Sequence, residues 1–169
     1  MYKILVTGGS GFIGSNFIYY CLNKNNKVLN FDKLTYAGNL NNLKKEESNK
    51  NYHFIQGDIC NKNKLTKSIE KFKPDFIVNF AAETHVDRSI ENSSSFIKTN
   101  ILGTSILLDC CLENIDKNIN DFKLLHISTD EVYGSLDRQG SFTEESPYNP
   151  SSPYSASKAS SDHLVNAWH

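Results

Sequence analysis

A glycine-rich turn between a strand and a helix constrains this chain more than any other feature. Lys3 to Thr7 is an apolar run of strand length, and Gly8-Gly9-Ser10-Gly11-Phe12-Ile13-Gly14 follows it. A helical period then runs from about Ile13 to Asn23. Glycines at 8, 11 and 14 let the backbone turn tightly, approach a pyrophosphate and pack the helix on a sheet. The helix N-terminus adds N–H groups and a partial positive charge for phosphates. The spacing is GxxGxxG, and alone it suits a purely structural turn equally well. Asp32 decides between the two, because it ends the next predicted strand, Lys27 to Asp32. A carboxylate there can take the 2′-hydroxyl of an adenosine ribose. It would also repel a 2′-phosphate, which favours NAD over NADP; the neighbouring Lys33 argues the other way.

Short apolar runs then alternate with helical segments. Tyr52 to Gly57, Phe76 to Ala81 and Lys123 to Ser128 read as strands. Lys62 to Phe72 reads as a helix stopped by Pro74, and Tyr36 to Ser48 as a loop with at most a short polar helix. Ser152 can cap a last helix with Pro153 at its first position, and that helix is still running at His169. The alternation predicts an α/β fold, a Rossmann-type doubly wound parallel sheet. Phe96 to Leu112 is apolar nearly all round, so a helix there needs cover on more than one side. The sheet supplies one cover, and a second subunit is expected to supply the other.

Composition mainly excludes. At 169 residues the chain suffices for one domain. A formal net charge of -1 gives no reason to expect nucleic acid or an anionic membrane as partner. No apolar run is expected to reach membrane-spanning length, and the strand pattern begins at the N-terminus without a signal peptide. The four cysteines form no CxxC and the five histidines no ligand spacing, which suits reduced thiols in the cytoplasm and no metal.

The remaining candidates lie at predicted strand ends. Asp58, after Gln56-Gly57, is placed either for an adenine edge or as a helix N-cap. Ala81 and Ala82 are small enough to let a cofactor lie against the backbone. Tyr154 and Lys158 are four apart, one turn along one helix face. A free tyrosine titrates near about 10, and an ammonium beside it favours the phenolate. Ser128-Thr129 closes the fifth strand, and Asp130 and Glu131 follow at once. Tyrosine and lysine suffice to move a hydride. Two further carboxylates imply a second task, moving a proton and expelling water, unless they are ordinary loop acids.

The segments TGGSGFIG, FDKLTYAGNL, GDIC, AAETHVDRSI, ISTDEVYG and PYSASK, in this order, resemble the extended short-chain dehydrogenase/reductases. Within them they resemble the dTDP-glucose 4,6-dehydratase family. The resemblance implies NAD contacts at Gly8, Gly11, Phe12, Ile13, Gly14, Asp32, Lys33, Leu34, Thr35, Asp58, Ile59, Ala81, Ala82 and Thr99, and at Tyr154 and Lys158. Asn100, beside Thr99, is expected to be structural. Thr84 and Thr129 match substrate contacts, Thr129 holding the sugar 4-hydroxyl. Tyr154 and Lys158 would run the hydride step, Glu131 would act as general base at C5, and Asp130 as general acid at the C6 hydroxyl. The implied reaction takes dTDP-glucose to dTDP-4-keto-6-deoxyglucose. Epimerases of the superfamily lack the Asp-Glu pair, and GDP-mannose-type dehydratases would show Thr-Ser-Glu at 129–131. A nucleotide-binding module without turnover is the remaining rival. Members continue beyond a length like this one, so the chain is expected to be one NAD-binding domain over 1–169, truncated before its last strands and the substrate-binding domain. Little activity is expected of it alone. The helices at 96–112 and 154–169 are expected to pack against a second subunit as a four-helix bundle, giving a homodimer.

Overall fold

The computed structural model describes residues 1–114, 122–136 and 140–169, with Asn114 described by its backbone only. Five strands pair in parallel in the order β3-β2-β1-β4-β5. They are β1 (Lys3–Thr7), β2 (Lys27–Asp32), β3 (Tyr52–Gln56), β4 (Phe76–Asn79) and β5 (Lys123–His126). The first strand lies in the middle, with Leu5 opposite Leu29 on one side and Ile77 on the other. Chain order therefore reverses at β1, which is the switch point of a Rossmann-type sheet.

Period-two alternation divides the core between two faces. Leu5, Leu29 and Ile77 point to one side, where they meet Leu65 and Ile69 of α2 (Lys62–Phe72) and Leu107 and Cys110 of the helical stretch Thr104–Asn114. Ile4, Val6, Val28 and Val78 point to the other, against Ile18, Cys21 and Leu22 of α1 (Phe12–Asn23). Leu43, in a short 3-10 helix at Leu40–Glu46, completes that second layer. The sheet is doubly wound, as the alternation predicts.

Five elements are shaped differently from expectation. The last three strands stop one or two residues short of their predicted ends, each with one more backbone bond to its neighbour, from Gly57, Phe80 and Ile127 to the carbonyls of Asp32, Thr7 and Asn79. After Phe80 the Ala81 amide turns to a side chain, donating to Thr7 Oγ1 at 3.3 Å. A short helix, α3 (Val86–Glu91), has no counterpart in the sequence reading. The long apolar helix α4 is α-helical at Ser94–Phe96, π-helical at Ile97–Gly103 and α-helical again at Thr104–Asn114. From Ser94 to Glu113 it spans 20 residues and is long and apolar enough, by length and composition, to cross a membrane. That corrects the expectation that nothing in the chain reaches such a length. The miss has a simple cause, since Lys98 and Asp109 interrupt the apolar run without lowering its average enough. Less than half of the stretch, 44%, is buried, and Ile97 and Leu102 stay half exposed.

The final helix, α5 (Pro153–Trp168), begins as predicted. Ser152 Oγ accepts from the Ser155 amide at 3.0 Å, and Ser155 Oγ returns the bond to the Ser152 amide at 2.9 Å. This capping box satisfies two N–H groups that the helix cannot pair itself. The described residues form two compact units, Met1–Ala81 with Ile106–Ile127, and Ala82–Ser105 with Ser128–His169. The sheet belongs to the first and α5 to the second.

Candidate active site

In the first unit the chain turns at Gly8, whose φ of +66° is a left-handed value that side chains resist. Its amide donates to the Phe31 carbonyl at 3.0 Å, and the Gly11 amide to the Gly8 carbonyl at 3.2 Å. Thr7 Oγ1 donates to Asn79 Oδ1 and accepts from the Ala81 amide, so the ends of β1 and β4 are tied together. A Cβ at Gly8 would lie 2.6 Å from the Ala81 nitrogen, and one at Gly14 2.5 Å from the Gly8 carbonyl oxygen. Gly11 differs. A Cβ there would meet nothing nearer than 3.4 Å, and its φ of -74° suits any residue. Gly8 and Gly14 are therefore glycines for the turn itself, whereas Gly11 leaves open room at the start of α1. That helix has no side-chain cap and no acidic residue in its first turn. Its partial positive charge stays available to an anion. Phe12 and Ile13 stand 83% and 62% exposed beside it, which is unusual for two large apolar side chains at a helix start.

Asp32 is buried, and both its carboxylate oxygens are engaged. Oδ2 accepts from the Ser10 amide at 2.9 Å and Oδ1 from the Leu34 amide at 2.7 Å. Each oxygen keeps a second lone pair, so a ribose hydroxyl can still bind. Leu34 takes a left-handed φ of 59°, and Gly38 packs so close that a Cβ would meet Asp32 Oδ1 at 2.9 Å. Lys33 pairs with Asp58 at 2.8 Å, and Asp58 Oδ1 accepts from the Cys60 amide at 2.9 Å. Burial alone would raise the Asp58 carboxyl, but the Lys33 and Cys60 bonds outweigh it and hold it below its usual value. Asp58 is not the cap of α2; Asn61 is, accepting from the Lys64 amide at 3.1 Å. Ile59 is 3% exposed and packs in the core, so only its backbone is on offer. Thr35 is half-buried in the same turn.

In the second unit a 3-10 helix, Asp130–Tyr133, is capped by Thr129, whose Oγ1 accepts from the Glu131 amide at 3.3 Å. Asp130 is exposed and Glu131 half-buried. The two adjacent carboxylates thus stand in different surroundings. The Thr129 hydroxyl lies near enough to bear on the Tyr154 phenol. Burial pushes that phenol up, Thr129 draws it back, and Glu131, Asp130 and Asp162 push it up again. The phenolate is thus disfavoured in the chain itself, opposite to the effect expected from Lys158 alone. Thr84 is exposed, Ala82 half-buried and Thr99 half-buried in the π segment of α4.

Hidden behind these groups is a set of cross-links that sequence reasoning did not single out. Asn100 Oδ1 accepts from the Glu83 amide at 2.9 Å, while Nδ2 donates to the Glu83 carbonyl and to Ser157 Oγ at 3.0 and 2.8 Å. Buried Ser89 accepts from the Tyr154 amide at 3.1 Å. Asn100 is structural, as expected, but it fixes the backbone beside Thr84 and the helix that carries Tyr154. Among the described residues no group of His, Cys, Asp and Glu could hold a metal ion.

A family model described as GDP-mannose 4,6 dehydratase matches residues 5–169. The chain belongs to this family. A probable dTDP-glucose 4,6-dehydratase of Sinorhizobium fredii is 52% identical over 170 residues, covering 98% of this chain and 49% of that protein. The crystal structure of dTDP-glucose 4,6-dehydratase from Bacillus anthracis in complex with NAD is 47% identical, with a TM-score of 0.85 over 99% of this chain and 50% of the other. That of the Streptomyces venezuelae enzyme, also with NAD bound, is 44% identical with a TM-score of 0.90, covering 99% and 51%. The chain spans about half the length of the curated relatives it matches.

One property of this member of the GDP-mannose 4,6 dehydratase family can be tested without substrate. Burial lowers Lys158 to about 8, against an upward push from Asp162. In the unfolded chain the same lysine titrates at 10.5. Between those values the unfolded state binds more protons, so stability rises with pH from about 8 toward 10.5. Below pH 8 the fold bears the whole penalty of a buried ammonium. The shift corresponds to on the order of 3 kcal/mol. Lys158→Met should therefore gain about 1–3 kcal/mol in a urea titration at pH 7, and the gain should shrink toward pH 10.5. A variant no more stable at pH 7 would show that the ammonium is well compensated.

Proposed function

We propose that the protein of which these residues are part dehydrates a nucleotide-activated hexose with NAD as cofactor, taking dTDP-glucose to dTDP-4-keto-6-deoxyglucose. The observation that carries the reading is the Tyr154 phenol under the joint influence of Thr129, Asp130 and Glu131, all on one capped turn. The open space at Gly11, the uncapped α1 terminus and the spare lone pairs of Asp32 fit a dinucleotide, and NAD is present in the two related crystal structures. Bound there, NAD would accept a hydride from the sugar and later return it.

The chain's own groups do the rest. Thr129 orients the 4-hydroxyl, and Tyr154 takes its proton as the carbonyl forms. The Lys158 ammonium favours the phenolate that accepts this proton, and the step leaves a neutral phenol. A carbonyl at C4 acidifies the neighbouring C5 proton, which Glu131 removes as general base. Asp130 protonates the C6 hydroxyl, so that it leaves as water. Thr84 contributes a substrate contact. Gly8, Gly11, Phe12, Ile13, Gly14, Asp32, Lys33, Leu34, Thr35, Asp58, Ile59, Ala81, Ala82 and Thr99 would hold the cofactor. Asp130 favours the glucose reading over the GDP-mannose type, which carries serine at that place.

Residues 1–169 would then be the NAD-binding domain, with specificity for the nucleotide supplied elsewhere. Cys21, Cys60, Cys110 and Cys111 stand as thiols outside any disulfide among the described residues, which suits a cytoplasmic setting. Half-exposed Ile97 and Leu102 on α4 and partly exposed Trp168 on α5 support the homodimer, which sedimentation equilibrium would contradict by showing monomer only. The reaction itself is tested with dTDP-glucose deuterated at C4. The label should reappear at C6 of a 4-keto product. Label kept at C4, or released to solvent, would sink the dehydratase reading.

A further inference from the structure

Asp162 belongs to none of the roles assigned above. It lies on α5 one turn beyond Lys158, and its Oδ2 accepts from two hydroxyls. One is Ser128 Oγ, on the residue immediately before Thr129-Asp130-Glu131. The other is Tyr148, at 3.3 Å, whose ring packs at a tilt against His163 with centroids 4.8 Å apart. Two donors on one carboxylate oxygen fix the side chain in place. They also stitch the start of the acid-bearing turn to the helix that carries the tyrosine and the lysine. Lys158 is 3% exposed, so its ammonium has given up most of its water. A buried ammonium needs a nearby anion to remain charged.

We propose that Asp162 is a positioning residue of this site, tying the Ser128 end of the Thr129–Glu131 turn to α5 and supplying the counter-charge for the buried Lys158 ammonium. The proposal rests on the reading of Tyr154 and Lys158 as the hydride-step pair. Charged groups on neighbouring elements of the same unit are Asp130 and Glu131 on the 3-10 turn, Asp87, Arg88 and Glu91 on α3, and Lys98 on α4. His163 follows Asp162 on α5 itself. Asp130 and Glu131 bear on Tyr154, and Asp162 bears on Tyr154 and Lys158 alike. One carboxylate thus opposes the phenolate while favouring the ammonium. It biases the pair toward the neutral phenol and charged lysine, and proton acceptance by Tyr154 must work against that bias.

The test is Asp162→Asn, which keeps an oxygen for Ser128 and Tyr148 and removes the charge. With 13C-labelled lysine, the Lys158 NMR signal, assigned by its loss in Lys158→Arg, reports the midpoint directly. Asp162→Asn should lower that midpoint by about 1 unit, the order expected for one opposite charge at close range. Ser128→Ala, which keeps the charge and loses the tie, should leave it in place. An unmoved midpoint in Asp162→Asn would overturn the proposal, as would an equal shift in Ser128→Ala. The readout is independent of turnover. If Lys158 shifts as expected but no deuterium reaches C6 with dTDP-glucose, the dehydratase reading fails while the electrostatic role of Asp162 stands.

Discussion

Glu131→Gln should abolish dehydration while leaving the first hydride transfer measurable. Glutamine has the same size and keeps an acceptor oxygen, and the turn itself is held by the Glu131 amide on Thr129 Oγ1, which the substitution does not touch. Only the ability to take a proton is lost. General-base groups are typically worth about 10²- to 10⁴-fold, and the C5 step is expected to slow by that amount. Two measurements separate the steps. Exchange of the C5 hydrogen with deuterated solvent should vanish, and nicotinamide absorbance after mixing with dTDP-glucose should still rise to its early level. Equal loss of both signals would mean that Glu131 acts before the carbonyl forms. Asp130→Asn should give the complementary pattern, with C5 exchange retained and water loss slowed. The two acids are distinguishable because Asp130 is exposed and Glu131 half-buried.

What the sequence reveals follows from how local each signal is. The first strand, glycine turn and α1 are legible because the period changes from two to 3.6 across glycines. The start of α5 is legible because Ser152 and Pro153 act within one turn of themselves. Asp32 is found at once, since a strand end is a local feature. Its use as a tie for Ser10 is not, because that bond joins residues 22 apart. Non-local bonds explain the other gaps. The π segment around Asn100 accompanies three side-chain bonds to Glu83 and Ser157, 17 and 57 positions away. No periodicity encodes these. α3 has only six residues, too few to display a period. Asp58 is a case where two local readings compete, and both its oxygens go elsewhere, to Lys33 and Cys60. For the candidate site, residue types and order were readable and Asn100 could be taken as structural, while its partners and the roles of Ser89 and Asp162 were not readable. Such support residues are ordinary polar side chains whose partners only the fold brings near.

The sharpest separation between a turn that serves the fold and one that serves a ligand comes from two alanine substitutions three residues apart. Gly8→Ala should destabilise the protein by about 2–5 kcal/mol. A left-handed backbone costs an L-residue about 1–2 kcal/mol, and overpacking adds about 1–3 kcal/mol. Here the added methyl would sit 2.6 Å from the Ala81 nitrogen, which Thr7 and Asn79 hold in place. Gly11→Ala should leave stability within about 1 kcal/mol, since a slightly poorer helix cap is offset by a stiffer unfolded chain. Its methyl meets only the Gly8 carbonyl oxygen at 3.4 Å and that of Ala37 at 4.0 Å. What it does fill is the space beside the exposed N–H groups of α1. NAD affinity is therefore expected to fall at least about tenfold, or roughly 1.4 kcal/mol, with at most a small change in the urea midpoint. Calorimetric titration with NAD, beside denaturant curves for both variants, reads the two effects separately. If Gly11→Ala bound NAD as tightly as the parent, the pyrophosphate would not lie over this turn. The glycine spacing would then be explained by Gly8 and Gly14 alone, as a device for bringing β1, α1 and the end of β4 into close backbone contact.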